Sequence, residues 1–146
     1  MARVSTYLNF SDHTEAAFNF YKSVFGGEFT APGIRRFGDI PSSPEMPPMS
    51  DKLKHLVMHV ELKILNCHFL MGTDAPEEMG FMVQKGNNVY INLEPETKAE
   101  TKEIFTKLSE GGTVTEELKD MFWGGYFGSL IDKYGIHWMF NYMENS

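Results

Sequence analysis

Three short patterns in this chain occur twice, in the same order. Tyr7-Leu8-Asn9-Phe10 returns as Tyr90-Ile91-Asn92-Leu93, 83 residues further on. Phe20-Tyr21-Lys22-Ser23-Val24-Phe25-Gly26-Gly27 returns as Phe105-Thr106-Lys107-Leu108-Ser109-Glu110-Gly111-Gly112, at an offset of 85. Asn66-Cys67-His68-Phe69-Leu70-Met71 returns as Gly135-Ile136-His137-Trp138-Met139-Phe140, at an offset of 69. Three echoes, each at the same place in its half, mark a duplicated structural unit. The fold must therefore be one that two copies of a unit of about 60 to 75 residues can build.

Each copy opens on an alternating strand and continues into a helix. Ala17, Phe18, Phe20, Tyr21, Val24 and Phe25 recur at helical spacing, which predicts a helix from Thr14 to Phe25 stopped by Gly26-Gly27. A second helix is expected from Lys98 to Leu108, stopped at Gly111-Gly112. Shorter strands follow and end in a hairpin. The first hairpin spans His55 to Gly72 and turns at Lys63 to Asn66; the second spans Tyr126 to Tyr142 and turns at Asp132-Lys133-Tyr134-Gly135. Asp at the first position and Gly at the last suit a type I turn. The expected class is α+β, a single domain over 1–146 with two tandem β-α-β-β-β modules, module one about 1–74 and module two about 87–146. A polar connector, Thr73 to Asn87, joins them. A second irregular stretch, 39–52, holds Pro41, Pro44, Pro47 and Pro48 and cannot be regular structure; it reads equally as a flap over a site or a tolerated insertion.

Strand alternation separates two faces. Leu8, Phe10, Val60, Leu62, Phe69, Met71, Val89, Ile91, Leu93, Ile131, Trp138 and Phe140 make an apolar set suited to packing on the helices. Tyr7, Asn9, His59, Glu61, His68, Leu70, Asn88, Tyr90, Asn92, Leu130, His137, Met139 and Asn141 make a mixed set, too oily for plain surface and rich in hydrogen-bonding groups. Such a face usually curves around something. A four-residue loop at 132–135 would put Leu130 opposite His137 and Gly128 opposite Met139. The repeat would then put Glu61 opposite His68 and His59 opposite Leu70. His59, Glu61 and His68 become neighbours within reach of a common metal ion or proton. A cross-strand Glu–His pair reads equally well as an ordinary ion pair or hydrogen bond.

The remaining chemistry is mostly exclusion. The net charge of −7, from 13 Lys and Arg against 20 Asp and Glu, opposes a nucleic-acid partner, whose binding needs a basic surface. Cys67 is the only cysteine, so no intrachain disulfide can form; alternation puts it on the helix-facing side as inert packing. No signal-peptide core and no apolar run near the roughly 20 residues of a membrane span is visible, so the expectation is a cytoplasmic protein without a membrane partner. Neither a phosphate-cradling glycine loop nor a GxSxG nucleophile elbow occurs. His13 and His55 read as surface residues.

The paired halves resemble the vicinal oxygen chelate superfamily, which contains glyoxalase I, bleomycin-resistance proteins and extradiol dioxygenases. Within it, "YLNFSDHTEAAFNFYKSVFGGEF", "HVELKI" and "FWGGYFGSLIDKYGIHWM" are similar to the PhnB-like, or demethylubiquinone-methyltransferase-like, subgroup. Trp123-Gly124, Phe127-Gly128, Asp132, Gly135 and Trp138-Met139 carry most of that likeness. The resemblance spans essentially the whole chain. It implies two modules forming an incomplete barrel around a central cavity, commonly with two chains paired as a homodimer.

In the superfamily's metal enzymes the ligands come from the first and last strands of each module. Those positions map here to Ser5 (or Thr6), Leu70, Asn88 and Met139, where the family's His and Glu are missing. Leu and Met cannot replace carboxylates on a hard or borderline divalent ion, and glyoxalase-type isomerisation needs that ion. No cofactor is therefore assigned, and no S-adenosylmethionine loop is visible. The expectation is a binder of a small organic molecule, with His59, His68, Tyr90, Asn92, Trp123, Tyr126, His137 and Met139 as contacts. The competing expectation is a metal-dependent or acid–base lyase, isomerase or oxygenase relocated onto His59, Glu61 and His68, with Glu61 as base.

Overall fold

The duplication is visible in the order of elements. In the computed structural model, which describes residues 1–144, the chain divides into one unit spanning Met1–Gln84 and a second beginning at Lys85. The first unit runs β1 (Thr6–Phe10), α1 (Thr14–Phe25), β2 (Arg35–Arg36), α2 (Asp51–His55), β3 (Val57–Ile64) and β4 (His68–Asp74), with short 3-10 turns at Phe37–Asp39 and Glu77–Met79. The second runs β5 (Ile91–Leu93), α3 (Lys98–Ser109), β6 (Thr113–Asp120), β7 (Gly125–Ile131) and β8 (His137–Met143). Each unit forms one four-stranded mixed sheet, in the orders β1-β4-β3-β2 and β5-β8-β7-β6. The first and last strands of each unit pair in parallel, and the other pairs are antiparallel. Each unit is α+β with the strand–helix–three-strand order that the repeat implied, the first with the short α2 added before β3.

Each helix seals one side of its own sheet. In α1 the residues Thr14, Ala17, Phe18, Tyr21 and Val24 are buried, a spacing of three and four that puts them on one stripe. Each large apolar side chain buried this way contributes about 1.5–3 kcal/mol. Phe18 lies so close to the sheet that a Cβ on Gly72 would come within 2.4 Å of its ring, so only glycine fits beneath it. In the second unit Thr101, Ile104, Phe105 and Leu108 of α3 are buried, and Phe105 meets Phe140 edge-on at 5.2 Å. Gly128 is the close-approach residue there, with Phe105 and Leu118 over it.

The helix N-termini are satisfied differently. α3 uses Thr97, whose hydroxyl accepts from the Glu100 N–H at 3.0 Å. α1 has no side-chain cap of its own; the buried carboxylate of Asp74 accepts from the Thr14 N–H at 3.0 Å and from the Val57 N–H at 2.8 Å. Asp74, expected in the connector, therefore ends β4 and pins the starts of α1 and β3. Arg36 fixes the edge of the same unit through two hydrogen bonds of 2.9 Å to the Glu15 carboxylate and one of 2.7 Å to the His55 carbonyl. That pairing, a hydrogen bond above all, holds Glu15 below the usual carboxylate range and raises Arg36.

Both hairpin registers differ from the expected ones. The first loop is shorter and shifted: Ile64 pairs with His68, Leu62 with Leu70, and Glu61 with Met71. Leu65 and Asn66 both hold positive φ, 48° and 55°, and the Cys67 N–H bonds the Ile64 carbonyl, the signature of a tight I′ turn. Leu-Asn is a weak sequence signal for that turn compared with Asn-Gly, so the sequence does not reveal this register. The second register is offset by one residue, because Asp132 and Ile136 face each other, the Asp132 N–H donating to the Ile136 carbonyl and the Ile136 N–H to Asp132 Oδ1, which leaves 133–135 as the turn. Leu130 therefore pairs with Trp138 and Gly128 with Phe140, rather than with His137 and Met139.

A one-residue slip exchanges the faces of a strand. Phe69, Met71 and Ile131, expected toward the helices, point away from them. His68, Leu70 and Leu130, expected on the mixed face, lie on the helix side, where Leu70 and Leu130 are fully buried. Phe127 pairs with Asn141 on the outward face, and Tyr126 pairs with Tyr142 on the helix side. Val89 precedes β5 and is exposed, and so is Cys67, beside the first turn rather than packed under a helix. No helix among the described residues is long and apolar enough to cross a membrane.

Candidate functional site

The outward face of each sheet, opposite its helix, is where the mixed residues collect. In the first unit it carries Tyr7, Asn9, His59, Glu61, Phe69 and Met71. Arg3 lies across this face: its Nη2 donates to Glu61 Oε1 at 3.0 Å and its guanidinium stands 4.3 Å from the Phe69 ring centre. Glu61, the candidate base, is thus half of an ion pair whose partner is itself seated on an aromatic ring. The Tyr7 hydroxyl and His59 Nδ1 are 3.5 Å apart, with their rings 5.9 Å centre to centre. His68 is not part of this group. It lies on the other side of the sheet, its Nε2 2.9 Å from the Thr6 hydroxyl. The relocated three-residue site of His59, Glu61 and His68 does not assemble, because alternation turns the third member away.

The outward face of the second unit is built differently. β8 presents His137, Met139 and Asn141 in a row, and β7 places Ile131, Ser129 and Phe127 opposite them. The Tyr90 ring stands edge-on to His137 at 5.1 Å, and Asn92, beside Met139, donates to the Glu94 carboxylate at 2.9 Å. The Ser129 hydroxyl is 2.6 Å from that of Thr115. Trp123, in the loop between β6 and β7, folds back over Gly125 and sits 6.3 Å from Phe127. Tyr126 does not join them; Lys98 of α3 covers its ring at 4.6 Å on the helix side. Tyr90, Asn92, Trp123, His137 and Met139 therefore share one face.

Two polar atoms of this face are buried with no protein partner, His137 Nδ1 and Asn141 Oδ1. Buried polar groups are normally satisfied, and an orphan costs about 1–3 kcal/mol. Here both lie on one strand and one face, flanking Met139. Alternation places Asn141 in the mixed set, but nothing in the sequence marks its oxygen as unpaired. That depends on how the Trp123 loop folds.

A divalent metal of the kind used by the superfamily's enzymes does not fit these faces. At the last-strand positions the outward side chains are Phe69 and Met71 in β4 and Met139 in β8, and a thioether suits soft rather than hard ions. Leu70 is turned into the core. Among the described residues, no group of three or more His, Cys, Asp or Glu side chains is placed to hold a metal ion.

Comparison with known proteins agrees with this architecture. Residues 2–140 match the family model described as 3-demethylubiquinone-9 3-methyltransferase. Protein PA1353 from Pseudomonas aeruginosa is 29% identical with a TM-score of 0.81, covering 98% of both chains. The PhnB protein from Bacillus cereus is 26% identical with a TM-score of 0.72, over 97% of this chain and 99% of its own. A glyoxalase/bleomycin resistance protein/dioxygenase family enzyme from Burkholderia phytofirmans, 18% identical with a TM-score of 0.60 over 97% and 94% of the two chains, shares the fold. The chain belongs to the 3-demethylubiquinone-9 3-methyltransferase family.

Proposed function

We propose that this protein binds a small organic molecule on the outward face of the β5-β8-β7-β6 sheet, without the metal chemistry of the superfamily's enzymes. The observation that carries the reading is the pair of buried, unpartnered atoms, His137 Nδ1 and Asn141 Oδ1, on either side of Met139. A ligand with an apolar middle and polar ends supplies what that row lacks: hydrogen bonds at the two ends and contact with a polarisable thioether between them. Tyr90 and Trp123 border the same strip, while Asn92 is engaged by Glu94 and sets an edge. Catalysis is not part of the reading, since Glu61 is held by Arg3 and lies in the other unit. Residence in the cytoplasm, expected from the sequence, and pairing of two chains, implied by the family resemblance, accompany it.

Native mass spectrometry of the gently purified protein tests this. A bound organic mass that is present in the wild type and lost from an H137A/N141L variant of unchanged melting temperature is the expected result. A ligand that stays bound to the double variant would place binding elsewhere.

A further inference from the structure

Gly125 shows why the Asn141 oxygen is orphaned. A Cβ built on Gly125 would lie 2.6 Å from Trp123 Nε1, 3.1 Å from Asn141 Oδ1 and 3.1 Å from Met143 Sδ. The indole nitrogen, a donor only, and the amide oxygen, an acceptor, thus crowd one point above a residue that has no side chain. They form no hydrogen bond with each other, and Asn141 Oδ1 has no other partner. Trp123 is nonetheless 47% exposed and is carried by a turn in which Gly124 has a φ of 94°, while its neighbour Phe122 is 97% exposed. The indole is therefore a flat ring with one N–H, laid beside an unused acceptor, with Gly125 beneath it and ring contacts to the exposed Phe122 at 5.0 Å and to Phe127 at 6.3 Å.

From this we infer that Trp123 is a removable plug standing where the ligand's own ring belongs, and that the ligand class is a planar heteroaromatic bearing a ring N–H. The inference rests on the binding reading above and narrows it. An incoming ring of that class takes the place over Gly125 and donates to Asn141 Oδ1, the bond the indole is too poorly placed to make. The displaced Trp123 swings out toward Phe122 and solvent. A flat ring without the N–H fills the same space but leaves the acceptor unpaired, and so binds less well. Larger side chains at residue 125 are excluded by the same crowding, which keeps the place open for a ring.

Benzimidazole and 1-methylbenzimidazole differ in that single donor and serve as the probes. Trp138 is fully buried, so acrylamide quenching of tryptophan emission in the intact protein reports on Trp123. Benzimidazole is expected to bind about tenfold more tightly than its methyl analogue and to make Trp123 emission redder and more quenchable. Asn141→Leu should abolish the tenfold preference without lowering the melting temperature, since it removes a buried orphan acceptor. Trp123→Ala, followed by calorimetry, should tighten benzimidazole binding, because a plug is removed. Weaker binding in Trp123→Ala would make the indole a wall of the site and overturn the inference. Equal affinity for the two probes, with Trp123 responding to both, would also overturn it while leaving the binding reading intact. No binding of either probe at millimolar concentration overturns it too, and the mass-spectrometric test then decides the broader reading separately.

Discussion

Trp138 donates its indole N–H to Asp132 Oδ2 at 2.9 Å, and both side chains are buried. The other carboxylate oxygen, Oδ1, accepts from the N–H groups of Tyr134 at 2.8 Å and Ile136 at 3.1 Å. One side chain thus shapes the β7–β8 turn and ties it to the largest residue of the second core. Asp132→Ala leaves the Trp138 N–H and two turn amides without that acceptor. Urea unfolding should show a loss of about 2–4 kcal/mol, with Asp132→Asn milder because one acceptor oxygen survives. An alanine variant as stable as the wild type would contradict this role.

Gly72 and Phe18 form a second dependent pair. Gly72→Ala forces a methyl group into the Phe18 ring and should cost about 1–3 kcal/mol. Phe18→Leu in the same chain relieves the clash, so the double variant should lose less than the two single losses added together. Strict additivity in a thermal or urea cycle would show that the ring does not rest on Gly72.

The face assignment of β4 is open to a direct comparison. Leu70 is fully buried and opposes Leu62, whereas its neighbour Met71 opposes Glu61 on the outward side. Leu70→Glu should prevent folding, since a carboxylate there has no partner. Met71→Glu should fold, as judged by circular dichroism and a cooperative melt. The reverse outcome would restore the register first expected from the sequence.

Acid should weaken the first unit through Glu15. Its carboxyl is held below its ordinary value of 4.5, chiefly by the hydrogen bond from Arg36, with burial opposing. A depressed folded-state value means that the stabilisation is fully present above the unfolded value and is lost as pH falls through the folded one. The stability difference between wild type and Glu15→Gln should therefore be constant above about pH 5 and shrink below 4.5. A difference that grows on acidification would reverse the sign. The effect should be modest, because the pair is partly exposed and solvent screens it.

Much of this architecture was legible in the residues themselves. The duplicated patterns gave the element order, and of the apolar residues read at helical spacing in α1, Ala17, Phe18, Tyr21 and Val24 form its buried face while Phe20 and Phe25 stay partly exposed. Register was not legible, because it depends on loop lengths: Leu65 and Asn66 adopt a tight left-handed turn that Leu seldom favours, and Ile136 pairs with Asp132 across the second turn. Those small differences moved His68, Leu70 and Leu130 across their sheets and separated His68 from Glu61. His137, Met139 and Asn141 were placed correctly because they share one strand, so alternation alone sets their common face. The orphan state of Asn141 depends on a tertiary contact, the Trp123 indole over Gly125, which no local pattern encodes.

The most direct measurement is a backbone and side-chain amide shift map of the intact protein during titration with a fragment library that includes benzimidazole. Binding to the outward face of the second sheet should move the resonances of His137, Met139 and Asn141 together, with the Trp123 indole N–H, while those of Leu62, Leu70 and Leu130 on the helix sides stay in place. Shifts centred on His59 and Glu61, or on the helix-facing residues, with β8 unmoved, would contradict it.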